Sequence, residues 1–425
     1  MGDAGCDDDL EPWIPRNMYD LYAIGVQECE YKPPSGKCEA HWFSQLQEHL
    51  GEGYVRVSGG SLWSIRILVM VRAELQDQLS DIQITSEATG IGHVAGNKGG
   101  IGVSFNLGDT SFFFVTSHLA AHQGEVAKRN SDFAEIVQGL SKLSVKNVDV
   151  TGLYDHVFWF GDLNYRIDLE RDVVLGLVEE GNWDALLEAD QLKAEMEAGR
   201  VFCGFEEPPI AFRPTYKYKP GTREYDEKKM RVPSYTDRIL WRTAPHVDLV
   251  CTSFEPADEI MTSDHSPVAA TFETEFVHSY APAIWDEACD HRGWIKITNL
   301  SGEGLRSMDL NGYSDPYVVF FGKAIETVQT STIKKSLDPS WADEELKPRL
   351  TFNEAEYIHS QSIIALVMDE DKVSKDDPMG QAWIPLSPAL TSAEEGSFDF
   401  NVPLTSNGLP AGMLSGTLEI NLGSL

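Results

Sequence analysis

The stretch from Phe158 to Arg166, Phe-Trp-Phe-Gly-Asp-Leu-Asn-Tyr-Arg, constrains the fold more than any other part of this chain. Its aromatic, β-prone start reads as a buried strand, and Gly161 ends the run. Asp162, Asn164 and Arg166 follow at once, so the strand delivers polar groups to the rim of a sheet, where loops can gather them around a substrate. Side chains alternate along an extended backbone, so Asp162 and Asn164 leave the strand end toward the same side. A carboxylate beside an amide suits a site that takes a proton from water and holds a phosphoryl oxygen. The same residues also suit an Asx-turn with no chemistry at all. Partners elsewhere decide between the two.

Such partners recur at strand ends. Gln27-Glu28 closes the strand YAIGV, and GNKGG (96–100) precedes a strand. Ser117-His118 closes SFFFVT, and Ser263-Asp264-His265 precedes the last strand of this part of the chain. Taken singly, they read as a surface carboxylate, a glycine turn, a capped core histidine and a proline-ended loop. Together, on one alternating β/α pattern, they read as a site. Strands are expected at Leu21–Val26, Ile65–Val71, Gly99–Phe105, Phe112–Thr116, His156–Phe160, Arg238–Trp241 and Val268–Phe272. Helical spacing runs from Asp172 to Arg200, with Leu175, Leu177, Val178, Leu186, Leu187 and Leu192 as the buried face. The pattern stops after Phe276, and residues 277–293 read as a linker. From Trp294 to the end, short strands (Trp294–Thr298, Tyr317–Phe321, Ile363–Met368, Thr417–Asn421) alternate with Gly, Asp, Pro and Ser loops, an all-β sandwich pattern.

A length of 425 residues agrees with two domains. The formal charge of −33 excludes general nucleic-acid binding, which needs a basic footprint. An anionic substrate must then be met by a local basic patch. Residues 213–231 supply one, interleaving Tyr216, Lys217, Lys219, Arg223, Lys228, Lys229 and Arg231. The six cysteines form no CxxC pair, which fits reduced thiols in the cytosol. With no apolar run of membrane-spanning length and no signal-peptide features at its start, the chain is expected to be cytoplasmic and peripheral at membranes.

GNKGG, SHLAAH (117–122), FWFGDLNYR (158–166), RPTYKYKPGTREYD (213–226), RVPSYTDRIL (231–240) and SDHSPV (263–268) together resemble the inositol polyphosphate 5-phosphatases. These are magnesium-dependent members of the endonuclease/exonuclease/phosphatase superfamily, with an α/β four-layer sandwich of DNase-like type. The resemblance covers residues 1–276. It implies that Glu28 is the ligand of Mg2+, that Asp162 orients and deprotonates the attacking water, and that Asn164 holds a phosphoryl oxygen. His265 is implied to stabilise the pentavalent phosphorus, with Asp237 orienting it, and Asp264 and His118 to complete the shell. Tyr216, Lys217, Lys229 and Arg231 are implied to hold the neighbouring ring phosphate, and Lys98, in its glycine-rich loop, is a further phosphate partner. Charge on a hard cation with imidazoles and an amide opposes the charge of an in-line transition state without a phospho-enzyme. In the family the first strand ends in a Trp-Asn pair, whereas this sequence opens MGDAG. That strand and its Asn are therefore expected to be missing, with weaker metal binding.

Residues 294–425 resemble a C2 domain, on MDLNGYSDPYV (308–318), LDPSW (337–341) and MDEDKVSKDDPMG (368–380). The resemblance implies Ca2+ held by Asp309, Asp315, Asp369, Asp371 and Asp377, with Ser374 adding an oxygen, since calcium takes several oxygens in flexible geometry. Bound calcium would turn an acidic tip into a cation that bridges to an anionic membrane surface. The expectation is a magnesium-dependent hydrolase of the 5-phosphate of phosphoinositide lipids and of soluble inositol polyphosphates, acting on phosphatidylinositol 4,5-bisphosphate or 3,4,5-trisphosphate. Its rivals are a catalytically weak phosphatase fold acting as a calcium-dependent adaptor, and a nuclease or sphingomyelinase of the same superfold, against which the charge speaks.

Overall fold

The computed structural model describes residues 1–5, 8–89, 97–143, 148–277, 292–308, 312–352, 354–371, 375–391 and 396–423. Its contacts divide the chain into two units, one of Met1–Leu143, His156–Arg242 and Leu249–Phe276, the other of Ser144–Asp155, Thr243–Asp248 and Val277–Leu425.

In the first unit the elements run β1 (Leu21–Val26), α1 (Cys38–Leu50), β2 (Tyr54–Leu62), β3 (Ile65–Arg72), β4 (Leu79–Ala88), β5 (Gly99–Leu107), β6 (Thr110–His118), α2 (Val126–Leu140), β7 (His156–Asp162), α3 (Arg171–Glu180), α4 (Trp183–Leu187), α5 (Gln191–Glu197), β8 (Asp237–Thr243), β9 (Leu249–Pro256) and β10 (Val268–Thr274). Strand β3 shows how the layers arise. Its run of aliphatic residues has no polar face, so both faces must be covered. Ile65, Ile67, Val69 and Val71 point into a core shared with Ile101, Val103, Phe105, Phe112, Phe114 and Phe158 of the neighbouring sheet. Leu68 and Met70 point the other way, against Trp42, Phe43, Leu46 and Leu50 of α1. A period of two thus packs one sheet between a helix and a second sheet. The outer face of the second sheet is covered by α2, whose Phe133 packs on Trp159 of β7 at 5.1 Å between ring centres. Helix, sheet, sheet and helix make the four layers that the family resemblance implies.

The sheets are β1-β3-β2, the pair β10-β9, and the five-stranded β4-β5-β6-β7-β8. Strands β6 and β7 are parallel and in register from Phe112 opposite His156 to His118 opposite Asp162. Strands β1 and β10 lie in separate sheets and both line a cavity of about 110 Å³, shared with Met1, Trp13 and Ile260. The Trp13 indole N–H donates to Val268 O at 3.1 Å, capping a carbonyl of β10.

The helical segment expected at 172–200 is three helices. Gly181, in the left-handed region with φ of 66°, ends α3, and the Asn182 and Asp190 side chains cap α4 and α5 by accepting from backbone N–H groups. Val174, Leu186 and Leu192 are its buried apolar positions, while Leu175, Leu177, Val178 and Leu187 are only partly covered. Asp190 also serves Arg238, which is 1 % exposed and donates to Asp190 at 2.9 and 3.1 Å and to Glu207 at 2.6 Å.

In the second unit the strands β11 (Arg292–Glu303), β12 (Pro316–Gly322), β13 (Ile325–Gln329), β14 (Ser340–Trp341), β15 (Ser362–Asp369), β16 (Asp377–Pro385), β17 (Ser397–Ser406) and β18 (Leu409–Gly423) form one curled antiparallel sheet, order β13-β12-β15-β16-β17-β18-β11-β14. Between β16 and β17 only Gln381 opposite Thr405 is paired, so the sheet folds there into two halves over a core of Ile297, Val318, Phe320, Trp341, Val367 and Leu418. This is the C2-type sandwich.

Removing one partner of a buried ion pair strands the other charge. The substitution Arg238→Met should therefore destabilise the first unit by about 3–5 kcal/mol, measured by urea unfolding followed by tryptophan fluorescence. A loss under about 1 kcal/mol would mean that Asp190 and Glu207 find other partners or protonate cheaply.

Candidate active site

The ends of β6 and β7 bring His118 and Asp162 side by side, with His118 Nε2 at 3.2 Å from Asp162 Oδ2. Gly161 makes this approach possible: its φ is 129°, and a side chain there would collide with the Ser117 carbonyl on the neighbouring strand. Asp162 is 6 % exposed, and its Oδ1 accepts from the Asn164 N–H at 3.0 Å. Burial alone would raise the Asp162 pKa, but His118, His265 and Lys98 outweigh it and hold the carboxyl well below its ordinary range. As it stands, Asp162 is a weak base suited to orienting a water. A phosphate dianion placed beside it would restore some basicity.

Lys98 reaches the same cluster, with its ammonium bonded to His118 Nε2. One ring nitrogen cannot accept from Lys98 and donate to Asp162 at once, so these two contacts compete for one tautomer. Among the described residues His118 Nδ1 has no hydrogen-bond partner. Burial depresses the Lys98 pKa, against the attraction of Asp162 and Glu28, which makes a negative guest in this corner favourable.

His265 faces the cluster from the loop before β10. Its Nδ1 lies 2.9 Å from Asp237 Oδ2, and that carboxylate is itself held by the Thr215 and Thr236 hydroxyls at 2.7 and 2.9 Å. Burial works against the imidazolium, but Asp237, Asp162 and Asp264 prevail and raise its pKa. The neighbouring Asp264 binds the Lys217 ammonium. Burial pushes the Asp264 pKa up, but His265 and Lys217 more than reverse it. Asp264 thus anchors the Lys217 ammonium. Tyr216 lies against His265, with ring centres 4.5 Å apart. Lys229 and Arg231 are exposed, and the Lys229 N–H donates to Asp226.

Glu28 sits just past β1 with φ of 50°, and its carboxylate makes no hydrogen bond or ion pair among the described residues. No group of three or more His, Cys, Asp or Glu among the described residues is arranged to hold a metal ion. Magnesium does not need one, because it binds through one or two carboxylates and fills its octahedron with water and substrate phosphate. An unengaged carboxylate a loop away from Asp162 fits that requirement.

In the C2-type unit, Asp369 and Asp377 are opposite one another at the loop end of the β15–β16 hairpin, and the Asp315 N–H donates to Asp369 at 2.6 Å. The Asp371 N–H donates to Asp376, which also accepts from Tyr317 Oη at 2.7 Å. Asp309 and Ser374 lie outside the described residues. Sequence reasoning overlooked Lys334, whose ammonium sits 3.3 Å from Asp315 Oδ2 and binds Glu370. It also passed over Arg129 and Gln191, which meet from segments remote in sequence, and the inward turn of Arg166 toward Asn164, which local spacing does not mark.

Two sheets between helices, with a carboxylate, an amide and two imidazoles gathered at their strand ends, define an endonuclease/exonuclease/phosphatase-type fold. Residues 1–271 match the model of the Endonuclease/Exonuclease/phosphatase family 2, and residues 293–401 match that of the C2 domain. The chain belongs to that phosphatase family and carries a C2 domain after it. It is 30 % identical over 438 residues to phosphatidylinositol 3,4,5-trisphosphate 5-phosphatase 2A of Danio rerio, an alignment covering 98 % of this chain and 33 % of the relative. The chain thus spans about a third of the length of the curated relatives it matches. Among solved structures it is similar to the inositol polyphosphate 5-phosphatase domain of SPsynaptojanin in complex with inositol (1,4)-bisphosphate and calcium ion, with a TM-score of 0.55, 32 % identity, and 64 % of this chain and 82 % of that one covered. Cimex nitrophorin, solved as a ferrous NO complex, is also similar, with a TM-score of 0.51, 26 % identity, and 60 % of this chain and 87 % of that one covered. One fold therefore carries unlike chemistries, and the function has to be argued from the side chains.

The carboxylates around His265 set a test. Its imidazole should titrate above the ordinary range of histidine, and the substitution Asp237→Asn, by removing the nearest negative charge, should move the midpoint to lower pH. Histidine NMR titration reads both, and an unmoved midpoint would remove Asp237 as its cause.

Proposed function

We propose that this chain is a magnesium-dependent phosphoric monoester hydrolase that removes the 5-phosphate of phosphoinositides, phosphatidylinositol 3,4,5-trisphosphate foremost and 4,5-bisphosphate as well, and of soluble inositol polyphosphates. The observation that carries this reading is the cluster Asp162, Asn164, His118, His265 and Lys98, with Lys217 beside it. Anion-binding groups here surround one carboxylate that can orient a water, and no thiol or hydroxyl nucleophile is needed. The names of the relatives and of the solved neighbour support the same substrate class.

Asp162 holds the attacking water and takes its proton as the oxygen closes on phosphorus and the bond from phosphorus to the ring 5-oxygen breaks, that oxygen leaving as a hydroxyl with a proton taken up from water. The Asn164 amide donates to a phosphoryl oxygen, and the His265 imidazolium, held by Asp237, opposes the charge that spreads over the others in the transition state. Lys98 turns from His118 to the phosphate, which frees His118 to donate to Asp162. Tyr216, Lys217, Lys229 and Arg231 hold the adjacent ring phosphate. Glu28 would hold magnesium, which when bound would supply positive charge against the phosphate oxygens.

The C2 domain docks the enzyme on an anionic bilayer, with calcium at Asp315, Asp369, Asp371, Asp377 and Asp309 as the bridge. On this reading the protein is cytoplasmic and peripheral at membranes. No helix among the described residues is long and apolar enough to cross one.

Phosphate release from vesicles of phosphatidylinositol 4,5-bisphosphate and 3,4,5-trisphosphate, with magnesium and with or without calcium, tests the proposal. The expected result is release that falls by at least about 10²-fold in Asp162→Ala. Absence of release, with calcium-dependent vesicle binding intact, would instead support an adaptor. Because Lys334 already neutralises part of the acidic tip, Lys334→Ala should tighten calcium binding several-fold by calorimetry, an effect limited by the exposure of the pair. Unchanged or weaker binding would show that calcium does not compete with this ammonium.

A further inference from the structure

Arg166 ends the segment that supplies Asp162 and Asn164, yet it is turned inward and is 5 % exposed. Its guanidinium grips one residue twice: Nε donates to the Asn164 backbone carbonyl at 3.0 Å, and Nη2 donates to Asn164 Oδ1. The Asn164 amide nitrogen donates to Leu119 O at 3.0 Å. Arginine can only donate and a carbonyl can only accept, so these two neighbours fix which end of the carboxamide is oxygen and which is nitrogen. One Nδ2 hydrogen is left over. Asn164 also has a backbone φ of 58°, unusual for a side chain with a Cβ, so its own conformation needs holding. Arg166 is in turn held by Gln191, whose Oε1 accepts from the Arg166 N–H at 2.9 Å and from Arg129 Nη2. On its other side the guanidinium lies over the Tyr216 ring, 4.6 Å from its centre, and that ring lies against His265.

Resting on the phosphatase reading above, we propose that Arg166 is a positioning residue that makes the Asn164 carboxamide a one-way donor to the phosphoryl group and, through Tyr216, keeps that donor in register with His265. It touches no reacting atom. Its effect is to prevent the amide from flipping and presenting an oxygen to an anionic phosphoryl oxygen, where like partial charges would repel.

The test is a mutant cycle in the full chain, measured on 3,4,5-trisphosphate vesicles. Arg166→Gln should lower kcat about 10²-fold, as loss of alignment at the reacting centre does, with KM changed by less than about threefold. Arg166→Lys, which keeps the charge and one hydrogen bond, should recover part of the loss. The double variant Arg166→Gln/Asn164→Ala should be no slower than Asn164→Ala alone, because both act through one amide. Additive losses, or a raised KM at unchanged kcat, would overturn the proposal. If the Gln variant does not fold, the cycle with Arg166→Lys decides on the same criteria. The Asn164 side-chain N–H2 resonances, assigned by their absence in Asn164→Ala, give a readout without turnover. They should be distinct and protected in the native chain and lose protection in Arg166→Lys. Retained protection counts against Arg166, whereas loss of protection in a chain with no turnover would count only against the phosphatase reading.

Discussion

The parallel register between β6 and β7 is the constraint on which the rest depends. With Phe112 opposite His156, six further steps put His118 opposite Asp162, and the two strands end together at the rim. Side chains alternate with a period of two, so a slip of one residue would send one of the pair to the opposite face. Aromatic packing holds the register: Phe114 stacks on Phe158 at 4.9 Å, and Phe112 on His156 at 5.0 Å. Gly161 then lets the strands approach where the polar residues begin. Core packing and active-site geometry are here one arrangement seen at two ends of a strand.

Electrostatics is the second organising term. A chain with a formal charge of −33 nevertheless concentrates cations where the strands end. The cost is visible in Lys98, weakened by burial, and the return in Asp162, kept ionised by the cations around it. A buried ion pair, Arg238 with Asp190, and a buried hydrogen bond, from Arg129 to Gln191, do no chemistry but hold the segments next to Asn164 and Arg166. The acidic tip of the C2-type unit uses the same economy on a smaller scale, with Lys334 set among Asp315 and Glu370.

Much of the first unit was legible in advance. The strand Leu21–Val26 has the bounds its alternation implies, whereas the strands expected to end at Thr116 and Phe160 run on to His118 and Asp162, because the residues past the apolar runs stay paired across the sheet. Strand β4, Leu-Ser-Asp-Ile-Gln-Ile-Thr-Ser-Glu-Ala, was not, because it is an edge strand with a largely exposed face and no apolar alternation to announce it. The helical stretch was read as one segment because its apolar spacing crosses Gly181 and Asp190, residues whose capping bonds break it into three.

The sequence by itself determined the residue types at the strand ends, the order of motifs and the change from a layered α/β unit to a β-sandwich, because periodicity and turn chemistry are local properties. The tertiary structure alone decided the pairings. That Lys217 is anchored by Asp264, that Lys98 and Asp162 compete for one nitrogen of His118, and that Arg166 faces inward to Asn164 rather than outward to substrate depend on which distant segments meet in a space closed to water. Burial converts a charge from a solvated surface group into one that must find a specific partner, and no local pattern states which partner that is.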